Sequence, residues 1–175
     1  MILGEAGFEQ TNGLRDDELV RASFQPLLAA YKEASAANGD LTTLFRSWTS
    51  GQRALFISYS YIVHVIESPQ EAYWWSAFFM AQGRWAALRA SADELDAKLF
   101  ADMLSDIQTE LHRRGHPIAL AEAHRIQRED LEQDDTLGRF FVEVYERLTS
   151  VAAKDVIARS ASAMRLAPEE FRLQT

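Results

Sequence analysis

Apolar side chains recur along this chain at helical spacing from Asp16 almost to the C-terminus. Val20, Phe24, Leu27, Leu28 and Tyr31 fall on one side of a first helix, which Asn38 and Gly39 close. Pro26 lies inside that run. Because proline removes a backbone donor and crowds the preceding turn, the pattern predicts a kink there or two abutting helices. Asp40 suits the N-cap of a short helix carrying Leu41, Leu44, Phe45 and Trp48, with Ser50 and Gly51 punctuating its end. A longer helix follows, from about Gln52 to Glu67. To its face of Leu55, Phe56, Tyr59, Ile62, Val63 and Ile66 it adds Ile57, Tyr61 and Val65, so burial on more than one side is expected.

Ser68, Pro69 and Glu71 combine a capping serine, a proline at the first helical position and a glutamate three residues after the cap. The helix they open carries Tyr73, Trp74, Trp75, Phe78, Phe79 and Met80 in nearly every direction, which predicts a central, aromatic-rich helix. Gly83 is expected to end it, and Ser91 to Glu94 reads as a second capping box. Leu95, Leu99, Phe100, Met103, Leu104, Ile107 and Leu111 then form the cleanest stripe, stopped by Gly115 and Pro117. A short helix over Ile118 to Gln127 is expected next. A long one from about Thr136 to Ser160 uses Leu137, Phe140, Phe141, Val144, Leu148 and Val151, and Pro168 with Glu169 opens a last turn. No segment alternates as a half-buried strand does. The reading is an all-α, single-domain helical bundle or orthogonal array of about six or seven helices over residues 15–175, preceded by a flexible arm over 1–14.

Composition narrows the functions open to such a bundle. A length of 175 residues with 47% hydrophobic content suits one globular domain. The formal charge of −8 repels nucleic-acid phosphates. The densest acidic group, Glu129, Asp130, Glu132, Asp134 and Asp135, reads as a solvated helix start or as a recognition surface for a basic partner. The absence of cysteine removes disulfides, thiolate metal sites and cysteine nucleophiles. No basic and apolar leader and no long apolar run is seen, so a cytoplasmic protein without membrane contact is expected.

Candidate chemistry is sparse. The glycines are scattered and form no phosphate-binding loop, and Ser160 to Ser162 read as helix-end residues without a nucleophile elbow. His112 and His116 have the spacing that places two metal ligands on one helix face. Gly115 and Pro117 argue against that helix, and Arg113 stands where a metalloprotease motif needs glutamate. His64 lies among apolar neighbours with Glu67 one helical step away, a pair able to do acid-base work. Trp74, Trp75 and Trp85 belong to an aromatic cluster that either forms core or lines a ligand-binding groove. No metal and no cofactor is assigned.

The run Ala54-Leu55-Phe56, then Tyr73-Trp74-Trp75-Ser76 with Phe78-Phe79, then a Leu-rich amphipathic helix, resembles a family of small helical bacterial proteins. That family is largely uncharacterised and includes an acidic DNA-mimic inhibitor. Its members carry an Asn-Gly-Gly step before the aromatic run where this chain has Gln70-Glu71-Ala72, so membership is not assigned and no site is carried over. The function expected is a noncatalytic, acidic interaction module: a regulator, an inhibitor or a DNA mimic, with a basic protein partner and a possible homodimer. The alternative is a small-molecule-binding or metal-dependent bundle enzyme using His64 with Glu67, or His112 with His116.

Overall fold

The computed structural model describes residues 13–172, and every regular element among them is helical. In chain order they are α1 (Asp16–Ala36), α2 (Leu41–Ser47), α3 (Ser50–Val65), α4 (Pro69–Ala81), α5 (Trp85–Glu94) and α6 (Lys98–Arg113). A 3-10 turn (Leu120–Arg125) leads to α7 (Asp130–Gln133), α8 (Asp135–Arg147), a π segment (Leu148–Ala152), α9 (Ala153–Leu166) and a closing 3-10 turn (Pro168–Glu170). The bundle expected from the hydrophobic spacing is the fold observed. Most of the arm assigned to residues 1–14 lies outside the described residues; Leu14, its last residue, packs on the core, and its carbonyl accepts from Arg165.

Helix α3 organises the molecule, touching α1, α4, α5 and α9. Its two sides serve two cores, which explains why its sequence leaves no polar face. On one side Tyr61, Ile62 and Val65 join Trp85, Phe100, Leu104, Ile107 and Phe141 in the larger core. On the other, Leu55 and Phe56 meet Leu19, Phe24, Leu27 and Trp48. Phe56 gathers the rings of Phe24, Tyr31, Phe45 and Trp48 at centroid distances of 5.6, 5.2, 5.5 and 5.0 Å. Such offset and edge-on contacts add to the area these rings bury.

The end of the chain closes over the start of α3. Thr49 accepts from the backbone N–H of Gln52 as N-cap and donates its own hydroxyl to the Glu170 carbonyl. The Gln52 amide donates to the Arg172 carbonyl at 2.5 Å. A Cβ on Gly51 would sit 2.9 Å from both the Glu170 oxygen and the Phe171 ring, so this close approach requires glycine.

Several boundaries depart from the sequence reading. Pro26 stands inside one continuous helix and does not divide it in two. Ser50 and Gly51 do not end the short helix; they form the first turn of α3, because Thr49 and Gln52 make a reciprocal capping box. Ser91 is no cap: buried within α5, it donates to the Leu88 carbonyl and accepts from Ser58 at 2.7 Å. That direction follows from Ser91 having a single proton. The chain turns instead at Asp96, whose φ is +50°, and α6 starts at Lys98, leaving Leu99 about half exposed. In place of the short helix over Ile118 to Gln127 there is only the 3-10 turn. The final helix runs beyond Ser160, so Ser160 and Ser162 are interior positions of α9. The π segment widens one turn and shifts the register, turning Leu148 and Ala152 inward and Val151 out to solvent.

Candidate functional site

Helix α4 packs on α3, α5 and α8 and on the first 3-10 turn, which buries Tyr73, Ala77, Phe79 and Met80. It cannot bury every ring it carries. Trp74, Trp75 and Phe78, at i, i+1 and i+4, occupy the remaining arc and are only partly covered. The C-terminal turn of α3 extends this arc with His64, whose imidazole stacks on Trp75 at 3.9 Å and an interplanar angle of 14°. Trp75 meets Trp74 edge-on at 5.0 Å, and Trp74 stacks on Phe78 at 4.8 Å. The four rings form one continuous aromatic surface.

The loop after the 3-10 turn frames this surface. The indole N–H of Trp74 donates to the Ile126 carbonyl at 3.1 Å, and the Arg128 guanidinium lies 4.6 Å from the centre of the Trp74 ring. Arg128 also forms a two-pronged ion pair with Glu71. One turn away, the Tyr73 hydroxyl donates to Asp130 at 2.8 Å, and burial holds that phenol well above its ordinary pKa. Glu71 therefore does not reach back to complete the box that its spacing after Ser68 suggests, although Ser68 caps its N–H as expected.

Electrostatics distinguish the two ionisable groups beside Trp75. Burial lowers the pKa of His64, opposed by the charges of Glu67 and Glu71, so the ring that stacks on the indole is the neutral imidazole at neutral pH. The hydrogen bond from Arg128 holds the Glu71 carboxyl below its usual range, with further help from the Arg128 charge and the Trp75 indole. Glu71 is an anion wherever the protein is folded at neutral pH.

Of the residues singled out by sequence, His64, Trp74 and Trp75 come together here. Glu67 is exposed beyond the end of α3 and acts on His64 only through its charge. Trp85 lies apart: it is 5% exposed, its ring sits edge-on to Tyr61 at 6.0 Å, and its indole N–H has no partner among the described residues. Sequence reading passed over Arg128, because its pairing with Glu71 spans 57 residues and leaves no local trace. Phe78 is not set apart from the other rings of its helix by sequence, since periodicity does not say which arc of an all-apolar helix stays uncovered.

The other candidates separate. His112 is exposed on the last turn of α6, while His116 lies beyond Gly115, half-buried and edge-on to Tyr73 at 6.4 Å. Burial depresses its pKa, opposed by Asp130. Among the described residues no three His, Asp or Glu side chains converge as a metal ion requires. The acidic group is divided in role. Asp130 holds Tyr73 and the Gln127 N–H, whereas Asp134 caps α8 and pairs with Arg114, which brings its pKa down to about 2. The side chains of Glu129, Glu132 and Asp135 are exposed and form no ion pair among the described residues. Among the described residues no helix is long and apolar enough to cross a membrane.

Fold and surface together define a helical bundle carrying a framed aromatic patch. Compared with known proteins, the chain matches no family model, no curated protein and no solved structure.

Proposed function

We propose that this protein is a noncatalytic interaction module, a regulator or inhibitor that holds a basic protein partner through the His64, Trp74, Trp75 and Phe78 surface. One observation carries the reading: two tryptophans and a phenylalanine stay partly exposed in a single stacked array although the bundle has ample core to receive them. Partly covered tryptophans in a contiguous patch are the side chains that dominate binding energy at protein interfaces. The charge of −8, with Glu67, Glu129 and Glu132 on the segments flanking the patch and in no ion pair among the described residues, supplies attraction for a cationic partner. Such attraction weakens with salt, because exposed charges are screened within ~10 Å at 0.1 M ionic strength.

The test is capture from native lysate at low and at high salt, with the wild-type chain beside Trp74→Ala and Trp75→Ala. The expected result is a stoichiometric protein recovered at low salt, released at high salt and lost in both variants. Recovery of nothing at either salt, or equal recovery by the variants, would sink the reading. Light scattering separates a second copy of this chain from a foreign partner.

A further inference from the structure

A crevice of about 330 Å³ opens between α2, α3 and the α4–α5 junction, and shares no lining residue with the aromatic patch. Leu41, Phe45, Phe56, Ile57 and Phe79 make its walls apolar. Sites that take small molecules begin at roughly this size and share this composition, a mostly apolar lining with a few placed polar groups. Three polar groups stand here: Thr42, Ser60 and Arg84. The Ser60 hydroxyl makes no hydrogen bond, and the Arg84 guanidinium makes neither a hydrogen bond nor an ion pair among the described residues. Among the described residues Arg84 is also the only charged one lining the crevice. Arg15, Arg113, Arg114, Arg128, Arg147, Arg159 and Arg165 pair with carboxylates; Arg84 shares its lack of a partner among the described residues with Arg21 and Arg46, and it is Arg84 that lines the apolar crevice.

From this geometry we infer that the crevice binds a small aliphatic carboxylate, its chain among Phe45, Phe56, Ile57 and Phe79 and its head group on Arg84. A planar guanidinium matches a carboxylate with two parallel hydrogen bonds, and an unpaired one already presents its donors. A methylene fills about the space of one water, ~30 Å³, so the crevice holds on the order of ten heavy atoms. Ile57 and Ala87 also border a second hollow of about 230 Å³, which Ser50, Arg53 and Glu94 line as well. Arg53 there is committed to the carbonyls of Phe45 and Trp48, so Arg84 is the cation left to recognise the head group.

The test is titration of the full chain with octanoate, octanol and octylammonium, read from the backbone amide shifts of Phe45, Ile57, Ser60, Phe79 and Arg84. Octanoate is expected to bind about three- to fivefold more tightly than octanol, the range of an exposed ion pair, and octylammonium more weakly still. Arg84→Gln should erase that preference while leaving octanol binding unchanged. Ala87→Trp, made at an exposed position of α5, should block all three. Equal affinity for the three head groups, shifts confined to other residues, or no shifts at millimolar octanoate would each overturn the inference. The interaction reading is unaffected by any of these outcomes, because neither Trp74 nor Trp75 lines the crevice.

Discussion

The hydrogen bond between Tyr61 and Ser76 joins α3 to α4 beneath the aromatic patch, and it lends itself to a sharp test. Ser76 donates its only proton to the Ala72 carbonyl at 2.5 Å, so the Tyr61 hydroxyl, 2.6 Å away, must be the donor between the two side chains. The two deletions are therefore unequal. Tyr61→Phe leaves Ser76 bonded to Ala72 and should cost about 1 kcal/mol, the net worth of one hydrogen bond. Ser76→Ala strands a phenolic donor on a residue that is 1% exposed, which should cost about 2 kcal/mol. Joining the two changes removes the stranded group, so the double variant should be less destabilised than the sum by about 1 kcal/mol. Urea unfolding followed by far-ultraviolet circular dichroism, with the slope unchanged, measures all three. In heating experiments each kcal/mol corresponds to about 2–4 °C for a chain of this size. Should Tyr61→Phe prove as harmful as Ser76→Ala, or should the effects simply add, the donor assignment and the reasoning from it are wrong.

Other outcomes follow from the same contacts. His64 should titrate below the ordinary 6.5 by proton NMR, and Trp75→Ala, which uncovers one face of the ring, should move it back up. Because its folded pKa lies below the unfolded one, the folded chain takes up fewer protons as pH falls through 6.5; stability is full above that pH and declines below it, a slope that His64→Gln should flatten. Gly138→Ala gains about 1 kcal/mol of helix propensity, yet its Cβ would lie 2.8 Å from the Leu131 carbonyl, a backbone atom that cannot step aside. A net loss of about 1 kcal/mol in urea unfolding is expected, and a gain would show that the α7–α8 junction yields freely. Acrylamide should quench Trp74 and Trp75 while sparing Trp48 and Trp85, at 3% and 5% exposure, when single tryptophans are replaced by phenylalanine. Equal quenching of all four would dissolve the patch.

Much of the architecture was legible because helices announce themselves locally. Ser68, Pro69, Gly83, Asp40 and Gly115 act within a turn of themselves, and each stands at an observed boundary. The amphipathic stripe from Phe100 to Leu111 needed only its own period to be read. Local grammar misled where a motif met a competing neighbour. Ser91 to Glu94 has the spacing of a cap, but Ser91 is drawn into the interior by Ser58, which lies 33 residues away. Val151 and Leu99 fit their stripes by count and face solvent in the structure, because a π turn and a displaced helix start rotate them outward.

The candidate site divides along the same line. Covalent order alone determined that the chain is helical, that residues 73–85 hold its richest concentration of rings, and that neither cysteine chemistry nor a phosphate loop is present. Only the packing of α3, α5 and α8 around α4 decided which of those rings would be covered, sending Trp85 inward and leaving Trp74 and Trp75 at the surface. Helical period reports which residues share a face, whereas burial depends on what another element brings against that face. The stacking of His64 on Trp75, the grip of Arg128 on Glu71 and the setting of Arg84 against the apolar crevice all belong to that second kind of information.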